Sequence, residues 1–322
     1  MKDSLKSLSF LKWLSLIPIL FSITYCLFPA FLTGGFEYDF HTTWMNAKNL
    51  IHGVNIYDEG IHKTISDYCF KNFHLYPADT EPRFFASCFA LLYPFTLARW
   101  ETAKWIWLFI NFTLTVLLSF EISRSFCSKK YFFFLLAALI CSIPWRENCY
   151  CGQNAIWSIY FFVLSIKYEE KRNDFLSGVF LALSLFKYSL TIPLCFYFLA
   201  HKRVWRNIAW AAGIHLALNL FFSYFLHKSI FYLLWAPFHW ILKGTNPNDT
   251  GYSLFKFFSL LKINSNWVPL AVSGLIFTSL IIWIFKKRSK DNLGILALLS
   301  MIVAIASYHG LYDYRAPLKI PV

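Results

Sequence analysis

NIAWAAGIHLALNLFFSYFL, Asn207 to Leu226, runs for twenty residues without an Asp, Glu, Lys or Arg. A helix crosses the hydrocarbon core of a bilayer in about 20 residues, so this stretch is long enough to span one. Working outward from it, three more blocks of similar character follow from the sequence: Phe10 to Leu32, Val268 to Phe285 and Leu293 to Ser307. Shorter apolar blocks lie at Phe84 to Ala98, Tyr131 to Ile143, Ala155 to Ile166, Phe175 to Phe186 and Ser189 to Ala200. These read as short, tilted or hinged spans, because in lipid the backbone polar groups must be satisfied inside helices. The expected fold is all-α, a polytopic transmembrane helical bundle of about 8–10 hydrophobic segments.

Composition agrees. The chain is 57% hydrophobic and 21% aromatic with only 15% charged residues, and its mean hydropathy is +0.48. That exceeds the apolar share of a soluble domain. Thirty Lys and Arg against seventeen acids leave a net charge of +13, which in a soluble protein would suggest nucleic acid. Position excludes that partner. The cations sit in short clusters between apolar blocks: Lys2, Lys6 and Lys12; Arg124, Lys129 and Lys130; Lys167, Lys171 and Arg172; Lys202, Arg203 and Arg206; Lys286, Lys287, Arg288 and Lys290. Under the positive-inside rule they are cytoplasmic anchors, and Trp and Tyr at block ends form interfacial belts. The first block is too long for a secretory signal and no A-x-A site follows it, so it reads as a retained span. Of the eight cysteines none forms a CxxC pair, and Cys26, Cys88, Cys127, Cys141 and Cys195 lie in or beside apolar blocks as packing residues.

These features predict one integral membrane domain over 1–322. Its first span is 10–32, and a long first extracytoplasmic loop with short helices covers 33–83. Membrane helices follow over 84–226, an outer loop over 227–267, two further spans over 268–308 and an outer tail over 309–322. The block near Phe84 either dips in without crossing or joins the next block in one broken passage. The first outer loop holds Glu37, Asp39, Asp58, Glu59, Asp67, Asp79 and Glu81, seven of the seventeen acids. Polar chemistry is therefore expected on the outer face. No inverted repeat is visible, and the long first loop has no later counterpart of the kind a two-half transporter has.

In that loop Tyr38-Asp39-Phe40-His41-Thr42-Thr43-Trp44 leads to a helix expected to end at Gly53, followed by Tyr57-Asp58. Asp39 reads first as its N-cap; the second reading, compatible with the first, is a carboxylate held at the membrane surface to act as general base for a hydroxyl. Gly152-Gln153-Asn154-Ala155 lies at the outer end of a span. Lys187, in Leu185-Phe186-Lys187-Tyr188, stands between apolar blocks, where a charge faces an anionic partner or snorkels to the interface. The late Ser307-Tyr308-His309-Gly310-Leu311-Tyr312-Asp313-Tyr314-Arg315 brings His, Asp and Arg together just outside the last span.

In this order the segments resemble the polyprenyl-phosphate-mannose-dependent glycosyltransferases of family 87, with the C-type membrane glycosyltransferase fold, over nearly the whole chain. The family's Asp after the first span, its helix ending in Gly and its Tyr-Asp look like Asp39, Gly53 and Tyr57-Asp58. Its Gly-Gln-Asn matches Gly152-Gln153-Asn154, and its small-residue helix running to a Lys resembles Gly178 through Lys187. Its Arg-Trp-Arg-like inner loop resembles Arg203-Val204-Trp205-Arg206, and its late His and Tyr-Asp resemble His309 and Tyr312-Asp313. Two positions depart from the pattern: Glu81-Pro82-Arg83-Phe84-Phe85 stands where the family often has Tyr-x-Pro-Pro, and Tyr188 rather than Pro follows Lys187. The end at Pro321-Val322, directly after a motif that family members follow with further spans, reads as a truncated or divergent member.

The resemblance implies a multi-pass protein of the bacterial plasma (inner) membrane, with its N-terminus cytoplasmic and its active site on the periplasmic or extracellular face. It implies transfer of a hexose, most often mannose, from a polyprenyl-phosphate sugar donor to a lipid or glycan acceptor, with inversion. Asp39 is then the catalytic base; Lys187, Arg315 and His309 meet the donor phosphate; Gln153, Asn154 and Asp313 complete the substrate site. Membrane lipids are the other partners, and neither a cofactor nor a metal is called for, since His41, His52, His62 and His74 are too irregularly spaced for a ligand set. Two rivals remain at this stage, a non-enzymatic transporter or flippase of lipid-linked sugar and an inactive homologue of the fold.

Overall fold

The computed structural model describes residues 38–73, 82–125, 129–142, 152–195 and 204–244, with single positions elsewhere. Most of the first block (10–32), of the two late blocks within 268–308 and of the basic clusters at both ends lies outside them, and so does the tail. Among the described residues every regular element is helical. In chain order these are α1 (Tyr38–Ile51), α2 (Glu59–Phe73), α3 (Ala86–Ala90), α4 (Tyr93–Thr96), α5 (Trp100–Ser125), α6 (Phe132–Ile140), α7 (Ala155–Glu170), α8 (Asp174–Ser184), α9 (Tyr188–Leu194), α10 (Val204–Phe225) and α11 (Ile230–Gly244). Two compact units emerge, one of Met1–Thr80 with Phe89–Val163, the other of Glu81–Cys88 with Leu164–Val322.

In the first unit the loop expected over 33–83 contains α1 and α2. α1 stops where Gly53 turns left-handed at φ 80°, and Gly53 N–H and Val54 N–H donate back to the Leu50 and Asn49 carbonyls at 3.1 and 3.0 Å. That is the αL stop glycine provides at a helix end. The helix begins at Tyr38 among the described residues, so Asp39 sits in its first turn rather than at its N-cap. The apolar block Phe84 to Ala98 is not one helix but the short α3 and α4, and the long passage comes after it. The apolar blocks read from the sequence omit α5, although Trp100–Arg124 is long and apolar enough to cross a membrane. Four of the polar residues that interrupt its run, Asn111, Thr115, Ser119 and Ser123, are buried. Each side chain bonds to a carbonyl of its own helix, at 3.1, 2.7, 2.8 and 2.9 Å in turn. A polar group satisfied this way costs little in an apolar surrounding. Leu114 of α5 packs with Leu136 and Ile140 of α6, with Trp145, Cys149 and Ile156, and with Ile19 from the first apolar block.

In the second unit, Asn173 caps α8 by accepting from Leu176 N–H, and Ser177, Gly178, Leu181, Ala182 and Ser184 of α8 are buried. This small-residue face lets α10 approach closely, as membrane helix pairs require. α10 contains all but the last residue of the stretch Asn207 to Leu226; of its polar residues His215 and Asn219 are partnered, while the side chain of the buried Asn207 makes no hydrogen bond among the described residues. His215 Nδ1 lies 2.8 Å from Ser87 Oγ and its Nε2 2.9 Å from the Ala182 carbonyl. A carbonyl only accepts, so the proton belongs on Nε2 and the Ser87 hydroxyl donates to Nδ1. Asn219 Nδ2 donates to Ser87 Oγ at 3.1 Å. Trp205, Trp210, Leu216, Leu220, Phe221 and Tyr224 are exposed on the same helix, a face suited to lipid and costly in water. The segment expected as the outer loop 227–267 opens with α11, which also presents Phe231, Trp235 and Phe238 outward.

Candidate active site

α1 is held by aromatic packing. Phe40 and Trp44 are buried; Phe40 stacks on Trp107 of α5 with centroids 4.5 Å apart, and Trp44 Nε1 donates to the Phe95 carbonyl at 2.9 Å. His41 stacks on Trp100 at 4.1 Å. These anchors are on the turns that flank Asp39, which is half-buried. They leave its carboxylate pointing at a turn far along the chain.

That turn carries Asn148 on one side and Gly152, Gln153 and Asn154 on the other. Gly152 adopts φ 68°, a conformation that favours glycine, and Gln153 N–H donates to the Asn148 carbonyl at 2.7 Å. Asn148 Oδ1 accepts from Ala155 and Ile156 N–H at 3.0 and 3.4 Å, satisfying the first amides of α7 as a cap does. So placed, Gln153 Nε2 donates to the Asp39 carboxylate across 114 residues of sequence. Asn154 is buried beside it, and its carbonyl accepts from Ser158 N–H at 3.1 Å. An amide donor on one carboxylate oxygen orients the group. The structure thus brings Asp39 and Gln153 together.

Burial of His41 pushes its imidazole from 6.5 down to about 4, opposed by the carboxylate of Glu101 and helped by the Lys104 ammonium. Glu101 and Lys104 are themselves paired at 2.7 Å. Between those two values the unfolded chain takes up a proton that the folded site resists. The neutral ring's contribution is therefore whole above about pH 6.5 and declines as pH falls toward about 4, by ~3 kcal/mol for the full shift. The unfolding midpoint of the purified protein is expected to drop between pH 7 and pH 5, and the drop to shrink in His41→Phe, which keeps a ring against Trp100. An unchanged pH slope in that variant would contradict the account.

In the second unit, α8 passes into a 3₁₀ turn at Leu185–Lys187 before α9 begins, so Lys187 sits at a helix break and is half-buried. Phe186 is buried and packs on Phe84 at 6.0 Å. Tyr188 Oη donates to the Arg83 carbonyl at 2.8 Å, and Phe85 meets both Tyr188 and Phe238 at 5.3 and 5.6 Å. The segment Pro82–Phe85, which departs from the family pattern, therefore supports the lysine through aromatic contacts. His309, Asp313 and Arg315 lie outside the described residues.

A sequence model of glycosyltransferase family 87 matches residues 86–307, more than two thirds of the chain. The chain belongs to glycosyltransferase family 87. As a family 87 protein it is an all-α membrane glycosyltransferase, and it uses a sugar donor and an acceptor. No curated protein and no solved structure matches it significantly. Gln153, Asn154 and Lys187 fall inside the family 87 match, whereas Asp39 precedes it and His309, Asp313 and Arg315 follow it. The residues that sequence reasoning missed are Trp107, Asn111 and Asn148. Asn111 looks like a break in an apolar run and Asn148 like an ordinary loop residue beside Arg146 and Glu147, and nothing in their spacing marks them as partners of one another.

Proposed function

We propose that this glycosyltransferase moves a hexose, mannose first among candidates, from a polyprenyl-phosphate sugar to a hydroxyl of a lipid or glycan, at the outer face of a bacterial inner membrane. The pairing of Asp39 with Gln153 is the observation that carries the reading. It presents an oriented carboxylate to an incoming hydroxyl, on a helix that the positive-inside pattern assigns to the outer side. The course of α5 supports that sidedness: it ends at Arg124, and Lys129 and Lys130 follow.

In the reaction the acceptor oxygen attacks the anomeric carbon, Asp39 takes its proton, and the bond from that carbon to the phosphate oxygen breaks. One displacement inverts the anomeric configuration. The polyprenyl phosphate departs as a monoester with an added negative charge, which Lys187 and Arg315 stabilise with a smaller part for His309. Asn154 and Asp313 complete the substrate contacts. Because the phosphate is borne by lipid, the reaction needs no nucleotide pocket, and no Gly-rich phosphate motif occurs in the sequence.

The test is reconstitution of the full chain into liposomes with polyprenyl-phosphate mannose labelled in the sugar. Label is expected to appear in a new glycoside of inverted configuration. Movement of intact donor between leaflets without new glycoside would point to transport, and binding without turnover to an inactive fold; either overturns the proposal.

A further inference from the structure

Gln153 touches Asp39 from a turn, and turns are mobile unless something holds them. Two donor contacts tie this turn to α5. Trp107 Nε1 donates to the Gly152 carbonyl at 3.1 Å, and Asn148 Nδ2 donates to Asn111 Oδ1 at 3.0 Å. Both α5 residues are buried, where a satisfied hydrogen bond is hard to exchange for water. Trp107 does more. The face of its ring stacks on Phe40, the residue next to Asp39, with the two planes 5° apart. Its N–H holds Gly152, the residue next to Gln153. One rigid indole therefore sets the spacing of the two residues that meet.

We propose that Trp107 is a positioning residue for the Asp39–Gln153 pair, fixing the turn that carries Gln153 against the helix that carries Asp39, with Asn111 as the second anchor. The inference rests on the reading of Asp39 as the base. A base displaced by a fraction of an ångström loses rate while substrate binding is retained, because alignment matters more in the transition state than in the ground state.

The experiment uses the full chain in liposomes with polyprenyl-phosphate mannose, normalised to folded protein. Trp107→Phe keeps an aromatic ring against Phe40 and removes the N–H. It is expected to lower kcat about tenfold with the donor KM within about twofold. In a Gln153→Ala background the same substitution is expected to cost less than about twofold, since the residue it positions is already gone. Asn111→Ala carries the same two expectations and serves if Trp107→Phe does not fold. Ser119→Ala, two turns on from Asn111 along α5 and equally buried, is the control and should leave both constants within about twofold.

Losses from Trp107 and Gln153 that multiply, a rise in KM at constant kcat, or an equal effect from Ser119→Ala would overturn the positioning role. Asp39→Asn in the same assay separates the two claims. Transfer that survives in that variant sinks the base assignment, whereas its loss alongside multiplying effects at Trp107 and Gln153 sinks only the positioning role.

Discussion

Asp39→Asn is expected to lower sugar transfer by about two to four orders of magnitude, the range that removal of a general base produces. That corresponds to about 3–5 kcal/mol in the barrier. The amide is the same size as the carboxylate and its carbonyl still accepts from Gln153 Nε2, so the contact between α1 and the turn persists. What it loses is the capacity to take a proton. It also gives up the favourable placement of a negative charge in the first turn of α1, about 0.3–1 kcal/mol. The loss should therefore fall on turnover with a small change in the unfolding midpoint. Initial rates in proteoliposomes, measured beside the midpoint, decide the matter, and transfer within about tenfold of wild type would exclude Asp39 as the base.

Gly178→Leu is expected to abolish folding, and Gly178→Ala to destabilise by about 1–3 kcal/mol. A Cβ at this position of α8 would sit 2.3 Å from Trp210 Cβ and 3.0 Å from the Asn207 carbonyl oxygen. Neither neighbour yields by a rotamer change, since one is the first side-chain carbon of α10 and the other its backbone, so α8 and α10 must separate. The gain in helix propensity on replacing glycine, about 1 kcal/mol, does not offset that. Gly213 on α10 makes the comparison: nothing lies within 4 Å of a Cβ built there, and Gly213→Ala should be neutral or mildly stabilising. Fluorescence-detected size exclusion after a heating series reads all three. Equal behaviour of Gly178→Ala and Gly213→Ala would show that the helix contact is looser than this.

How much was legible beforehand depended on whether a feature is local. Gly53 was readable as the end of α1 because a left-handed stop is a property of one residue and its neighbours. Lys187 was readable as an unusual cation because its flanks are apolar within a few positions. α5 is hard to read by eye because Asn111, Thr115 and Ser119 cut it into short apolar runs, although averaged along its length it is apolar enough to cross a membrane. The block Phe84 to Ala98, expected as a short or hinged segment, folds as α3 and α4, with Pro94 near the start of α4, where its missing N–H costs nothing. The 227–267 segment, expected as an outer loop, contains α11.

By itself the sequence determined that this chain is helical, that it belongs in lipid, and that its motifs follow the order of family 87, because each of these rests on composition or on spacing along the chain. Only the tertiary structure decided that α5 is a long helix and that Asp39 meets Gln153. The first depends on short apolar runs separated by polar residues closing into one continuous helix, whose buried polar side chains bond to carbonyls of their own turns. The second depends on Phe40 stacking against Trp107 while the same indole holds Gly152, a contact among residues brought together from three distant segments.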